Sequence, residues 1–358
     1  MSNRSTIQIP HLVLIALVTA VAVVIFSAGA TTSASLNPFN SGWDGVSVLQ
    51  DEASELGTDS RLVTNTDQYG SASPEDSVAF ILAPDQAYAA DEKRDVETFV
   101  RNGGTLVVAE DFGSQGNDIL SSIEGVDARF DGRLLRDERY NYRSPAMPIA
   151  DNGSETVATD SETRLTLNHG TAVDSNGATV GLTTSRVAYL DENRNGDFDQ
   201  NESIGSFPVV TLERIGGGRV IAVGDPSVFL NTMLDRQDNL VFARNIVRGR
   251  HVLIDVSHSE SSPPPVAYIV SIVRDSRPIQ GIVGVMGVAV ILLFARVQRR
   301  VRGLLPNSDS GGLPWRPDTE QVDQASIQKT ADWRDRRLYN VVLTNTPSGK
   351  KEEKDGKD

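Results

Sequence analysis

Apolar positions in this chain fall into two kinds of run. Two runs are long and uncharged, HLVLIALVTAVAVVIFSAGA (11–30) and PIQGIVGVMGVAVILLFA (278–295). Each is close to the length that crosses a bilayer. Between them the runs are short and change period. SVAFILAP (77–84) is a compact apolar block closed by Pro84, the pattern of a buried strand. In DEKRDVETFVRNGG (91–104), Val96, Phe99 and Val100 recur at helical spacing, acids lead, and Gly103 and Gly104 end the pattern; a helix is predicted. TLVVAED (105–111) repeats the strand pattern and SQGNDILSSIEG (114–125) predicts a second short helix. Strand, helix, strand, helix at this spacing implies an α/β fold with parallel strands joined by right-handed crossovers. Such sheets take ligands at the carboxyl ends of their strands, and those ends carry Asp85, Glu110 and Asp111.

Further on, the stretch 126–205 is polar and turn-rich and reads as a β-rich insertion, with SRVAYL (185–190) a strand within it. FPVVTLER (207–214) and RVIAVGD (219–225), separated by IGGG, predict a hairpin. One or two helices follow over DPSVFLNTMLDRQDNLVFARNIVRG, and HVLIDVS (251–257) is a candidate last strand. SSPPP (261–265) opens a stiff, exposed linker over 261–277.

The flanking charges orient the long runs. RVQRRVR follows the second at once, and four arginines there mark a cytoplasmic stop-transfer boundary. Gly281, Gly284 and Gly287 within it are read as ordinary small residues of a membrane helix. The first run ends in SAGA, which resembles a signal-peptide cleavage site. Its length favours a retained anchor over residues 1–30. Either way residues 31–277 are expected outside the membrane, with an α/β domain over 31–260, a transmembrane helix over 278–295 and a polar, mostly disordered cytoplasmic tail over 296–358. Within that tail, 325–343 could form a short partner-binding helix.

Composition sharpens this picture. Net charge is −14, arginine outnumbers lysine by 28 to 6, and Asp outnumbers Glu by 31 to 17. Segment 31–277 alone holds 38 acids against 20 bases. High Asp with little Lys suits a protein that stays soluble in concentrated salt, so a halophilic source is expected. A surface this negative repels nucleic acid. The absence of cysteine removes disulfides, thiolate ligands and a cysteine nucleophile together.

The loop DENRNGDFDQNE (191–202) meets the calcium-loop pattern D-x-[DN]-x-[DN]-G-x5-E in full. Calcium takes six to eight oxygens, so alternate short acids and amides turn inward. Asp191, Asn193, Asn195, Asp199 and Glu202 would supply side-chain oxygens and Asp197 its backbone carbonyl. Gly196 permits the sharp reversal and Phe198 could anchor the loop to a core. The flanks are not those of an EF-hand. A β pattern precedes the loop, and Gly205 and Pro208 disfavour a long exiting helix. A structural ion stapling two strands is expected.

Other candidates are weaker. Asp225 and Ser227 lie between a strand end and a helix start; they and Asn231 are candidate ligand contacts, with capping the plainer role. His258 lies near Asp255 and Glu260 but reads as a juxtamembrane turn, His169 as a surface residue, and His11 merely opens the first apolar run. IGGG lacks the lysine of a phosphate loop, and neither G-x-S-x-G nor H-E-x-x-H occurs.

Taken in succession, NPFNSGWDGVSVL (37–49), FILAPDQAYAADEKRDVETFVRNGGTLVVAEDFGSQGNDIL (80–120), LLRDERYNYRSP (134–145), YLDENRNGDFD (189–199) and GGGRVIAVGDPSVFLNTMLDRQDN (216–239) resemble the membrane family called domain of unknown function 4350, in its haloarchaeal form. The resemblance covers about 31–260. It implies a flavodoxin-like parallel sheet similar to class I glutamine amidotransferases, and a gene beside MoxR-type AAA+ ATPases and their membrane partners. Amidotransferases use a cysteine nucleophile, so that activity is not expected here. The leading expectation is a membrane-anchored, calcium-stapled binding domain serving a MoxR-type or envelope maturation system. The alternatives are an external hydrolase using Asp85, Glu110, Asp111 or Asp225, and an auxiliary subunit of an exporter.

Overall fold

A computed structural model describes residues 32–151 and 163–259, with scattered positions at 17, 20, 264, 266 and within 278–296. The first apolar run, the linker 261–277, Glu260 and the tail with its 325–343 helix fall wholly or largely outside the described residues, and the second apolar run is described in part. Among the described residues no helix is long and apolar enough to cross a membrane. The described positions of 278–296 are helical, and Ile282, Val285, Met286, Val288 and Leu292 are exposed there.

Alternation along the strands builds the core. β1 (Ser60–Val63), β2 (Ser77–Leu82) and β3 (Thr105–Ala109) are parallel strands. In β2, Val78 and Phe80 point to one side and Ala79 and Ile81 to the other; in β3, Val107 and Ala109 oppose Leu106 and Val108. Burial on both sides explains why these strands read as unbroken apolar runs rather than as alternating ones. Helix α1 (Ser47–Glu55) packs Leu49 and Ala53 on the first face. Helices α2 (Ala90–Arg101) and α3 (Gln115–Ser122) cover the second with Val96, Phe99, Val100, Ile119 and Leu120. The helical spacing read for α2 therefore meets its three buried residues.

Small strands follow: β4 (Arg129–Phe130), β5 (Leu134–Asp137), β6 (Ile149–Ala150), β7 (Leu165–Thr166) and β8 (Val173–Asp174). Then come β9 (Thr179–Thr183), β10 (Ala188–Asp191) and β11 (Ile204–Gly205). β4 pairs with β8, β6 with β7, and β5, β10 and β11 make a three-stranded sheet. The span 126–205 is not purely an insertion, however. β9 rejoins the main sheet as its antiparallel edge against β12 (Pro208–Ile215), whose outer edge would otherwise be unpaired.

The hairpin is formed by β12 and β13 (Gly218–Val223). Its turn uses Gly216 at φ 59°, and a Cβ on Gly218 would lie 2.2 Å from the carbonyl oxygens of Val100 and Gly104. Glycine is thus required where the turn presses on the end of α2. Helices α4 (Asn231–Leu234) and α5 (Gln237–Val247) return along the first face, where an ion pair between Arg244 and the buried Glu52 ties α5 to α1. The chain ends its fold with β14 (His251–Asp255), inserted between β1 and β2 and parallel to both. The seven strands lie in the order β1–β14–β2–β3–β13–β12–β9, the first five mutually parallel.

Candidate functional site

The carboxyl ends of the parallel strands carry several buried polar residues. Glu110 follows β3 and is 2 % exposed. Its Oε1 accepts from the N–H groups of Asp111 and Gly113 and its Oε2 from that of Gly116, each at 3.2 Å. It holds the β3–α3 loop shut. Burial pushes its carboxyl up, against the lowering effect of those N–H donors. Asp225 follows β13 and has no exposed surface. It caps the turn Pro226–Phe229 by accepting from the Ser227 N–H at 2.8 Å, while its other oxygen takes the Asn168 N–H. Burial is the main cause that lifts it from 3.8 to about 7, and the neighbouring Asp111 adds to the rise.

Ser227 also donates to the Asn168 carbonyl at 3.1 Å, so the pair locks the insertion onto β13. Asn231 accepts from the Val48 N–H at 2.9 Å and donates to the Gly42 carbonyl at 2.7 Å, anchoring the segment before α1. Asp111 is half-buried and bonds the Phe112 N–H; Asp85 is exposed, its N–H held by the His258 carbonyl at 2.9 Å. Glu110, Asp111 and Asp225 follow β3 and β13, Asp85 lies past the end of β2 beside His258, and three cavities at the described surface are lined by other residues.

Sequence reasoning missed the cluster at the ends of β14 and β2. There the strand order reverses, which is where doubly wound sheets open a crevice for ligands. Here side chains fill it. Tyr69 donates to Asp255 at 2.7 Å; Ser257 lies 2.6 Å from the other Asp255 oxygen and 2.8 Å from Nδ1 of His258. Nε2 of His258 lies 3.1 Å from Glu92, and the imidazole stacks on Tyr88 with ring centroids 3.7 Å apart. Burial, then the Asp255 charge, raises both phenols well above their ordinary range. Burial also raises Asp255. His258 lies in a turn, as read from the sequence, but that turn is packed, and the residue is 8 % exposed. Its partner Glu92 comes from α2, 166 residues away in sequence, and Tyr88 lies just before that helix, so no local signal could reveal them. A serine, a histidine and a glutamate in line have the elements of a relay. Yet Ser257 faces both Asp255 and Nδ1, and Tyr88 closes over the ring.

The acidic loop joins β10 to β11, which pair antiparallel with Tyr189 opposite Ile204. Asp191 is fully buried and accepts from the N–H groups of Asn195 at 3.2 Å and Gly196 at 3.0 Å. Arg194 and Gly196 adopt positive φ of 57° and 89°, which curls the backbone around these carboxylates. The side-chain amides of Asn193 and Asn195 donate to Asp199 at 2.7 and 3.0 Å, and Glu202 accepts from the N–H groups of Glu192 and Asp199. Asp197 gives its N–H to Asn195. Phe198 meets Tyr189 edge-on at 5.4 Å while remaining half exposed. Among the described residues no three acidic or histidine side chains converge as a ready-made metal cage. His169 is exposed, as read from the sequence.

Similar proteins are distant. No curated protein matches this chain. Among solved structures, the mmIFT52 N-terminal domain is 14 % identical, with 50 % of this chain covering 77 % of that one at a TM-score of 0.39. The cytoplasmic protein STM1381 from Salmonella typhimurium LT2 is 12 % identical over 57 % of this chain and 78 % of that one, at 0.31. A polyextremophilic β-galactosidase from the Antarctic haloarchaeon Halorubrum lacusprofundi is 12 % identical over 48 % of this chain, at 0.29. This chain spans only 22 % of that galactosidase. One family model, Domain of unknown function (DUF4350), matches residues 38–247, more than half of the length, and the chain belongs to that family.

Proposed function

We propose that this chain is a non-catalytic α/β binding domain, held at the outer face of a membrane and stapled by calcium, that serves a MoxR-type ATPase or envelope maturation system. The observation that carries the reading is the state of Glu110 and Asp225. Both strand-end carboxylates are buried and engaged by backbone N–H groups, so neither is presented to a substrate. The sheet supports a flavodoxin-like layer whose chain is circularly permuted. Counted cyclically from β14, its parallel strands take the flavodoxin order 2-1-3-4-5. The first position, usually filled by the opening strand, is filled by the last. Chain continuity then leads from the crevice at His258 toward the second apolar run, whose described positions expose Ile282, Val285 and Leu292.

The loop residues suit calcium by chemistry. The side-chain set is oxygen-bearing and short, and the backbone already curls around Asp191. Asp191, Asn193, Asn195, Asp199 and Glu202 with the Asp197 carbonyl would hold the ion, after the two amides turn their oxygens inward. External sites of this kind bind weakly, in the range of about 0.1–1 mM. Calorimetry on the whole chain should show calcium binding that Asp191→Ala removes; equal heats from both proteins would exclude the site. Calcium at about ten times its Kd should stabilise the protein by about 1.4 kcal/mol. For the function itself, crosslinking in native membranes at high salt should capture an ATPase-associated or envelope protein. A chain that co-purifies with none, or that resists protease added to intact cells, overturns the reading.

A second reading, an external hydrolase, is favoured by Asp225 alone, whose raised pKa keeps a proton available for a general acid. It requires hydrolysis lost in Asp225→Asn.

A further inference from the structure

A cavity of about 600 Å³ lies between the 142–147 turn of the insertion and the start of α5. Such a volume suits a small-molecule site. Arg236, immediately before α5, lays its guanidinium on the Tyr142 ring with its central carbon 3.4 Å from the centroid. Arg143 approaches the same ring at 4.8 Å. Stacking holds a guanidinium rigid and leaves its in-plane N–H edge for a planar acid group. The Arg236 Nε is buried without a hydrogen-bond partner, which costs stability unless something answers it.

Neither arginine forms an ion pair among the described residues. Asp235 and Asp238 line the same cavity and leave both arginines unpaired. Arg143 also has a left-handed backbone, φ 64°, unfavourable for a residue with a Cβ. The turn holds it there through the Tyr142 N–H to Met147 carbonyl bond at 2.9 Å. Met147 and the buried Met233 give the wall a deformable apolar portion.

We propose that this cavity binds a free α-amino acid with an apolar side chain. Arg236 and Arg143 receive the α-carboxylate, Asp235 and Asp238 the α-ammonium, and Met147 and Met233 the side chain. Two cations and two anions on one wall match a zwitterion. The acids would repel a phosphate, and the arginines a simple amine.

Calorimetry on the whole chain with L-leucine, N-acetyl-L-leucine and L-leucinamide tests this. Leucine should bind with a Kd below about 1 mM, and each blocked analogue about tenfold more weakly. Arg236→Ala should lose at least about tenfold in leucine affinity, and Asp238→Asn, which leaves the Arg–Tyr stack in place, should weaken leucine but not N-acetyl-leucine. Dileucine binding more tightly than leucine would move the assignment to a peptide and overturn it. So would the absence of heat with leucine, or equal binding of the blocked analogues. If Arg236→Ala fails to fold, by its melting curve, the Asp238→Asn comparison decides alone.

Discussion

Asp225 shows how one residue can look like chemistry in sequence and serve architecture in the fold. Its position after a strand made it a candidate ligand contact with capping the plainer role; it does cap the turn Pro226–Phe229, and its full burial with two N–H donors makes it the lock between β13 and the insertion. Burial raises its pKa to about 7, above the 3.8 of an exposed aspartate. Glu110 and Asp255 are raised in the same direction. A group that holds its proton more tightly when folded stabilises the fold fully below its unfolded value, and that contribution disappears as pH rises through the folded value. Thermal melts of the wild type should therefore fall between about pH 4 and pH 7, with Asp225 contributing on the order of 3 kcal/mol to the change. Asp225→Asn should flatten that slope; a slope identical to wild type would show that Asp225 is not the titrating group. His258 teaches the converse lesson. DVSHSE turns at Ser257 and His258 as its sequence suggests, but its burial was not legible, because Glu92, Tyr88 and Tyr69 are remote in sequence and burial of a histidine depends on what packs over it.

Elements show where local pattern is sufficient. The α2 helix carried its own start, stripe and stop, and it forms over Ala90–Arg101. Strands β2 and β3 were legible because burial on both faces leaves an unbroken apolar run. The β3–α3 loop depended on more. Its closure rests on three N–H groups meeting Glu110, and Glu110→Ala should destabilise the protein by about 2–4 kcal/mol, since several donors are left buried and unpaired. Denaturant unfolding would measure this, and a change under about 0.5 kcal/mol, the level of an ordinary surface substitution, would show the loop to be held otherwise. Gly218→Ala should be as costly, because two backbone carbonyls of the α2 terminus and its exit occupy the space a Cβ needs. β1, by contrast, was not singled out: four residues, three of them only partly buried, carry too little period to read.

At the scale of the whole molecule the decisive element is β14. The family match ends at residue 247, yet β14 pairs with β1 on one side and β2 on the other. A chain ending at Val247 should leave a slot between them with both ladders unmade, and should show no cooperative unfolding transition by circular dichroism. A cooperative melt from that fragment would mean that β1 and β2 can close on each other.

What the chain's own pattern determined was the α/β class, the parallel core strands, the hairpin, the oxygen-rich loop between two strands and the absence of a cysteine nucleophile. Each depends on neighbours within a dozen residues, where periodicity, glycine and spacing act directly. Tertiary structure alone decided that the last strand enters the middle of the sheet, that β9 returns to its edge, that Glu110 and Asp225 are buried rather than presented, and that Arg236 stacks on Tyr142. Those outcomes depend on burial and on partners far apart in the chain, and desolvation is a property of the assembled surroundings rather than of any local stretch.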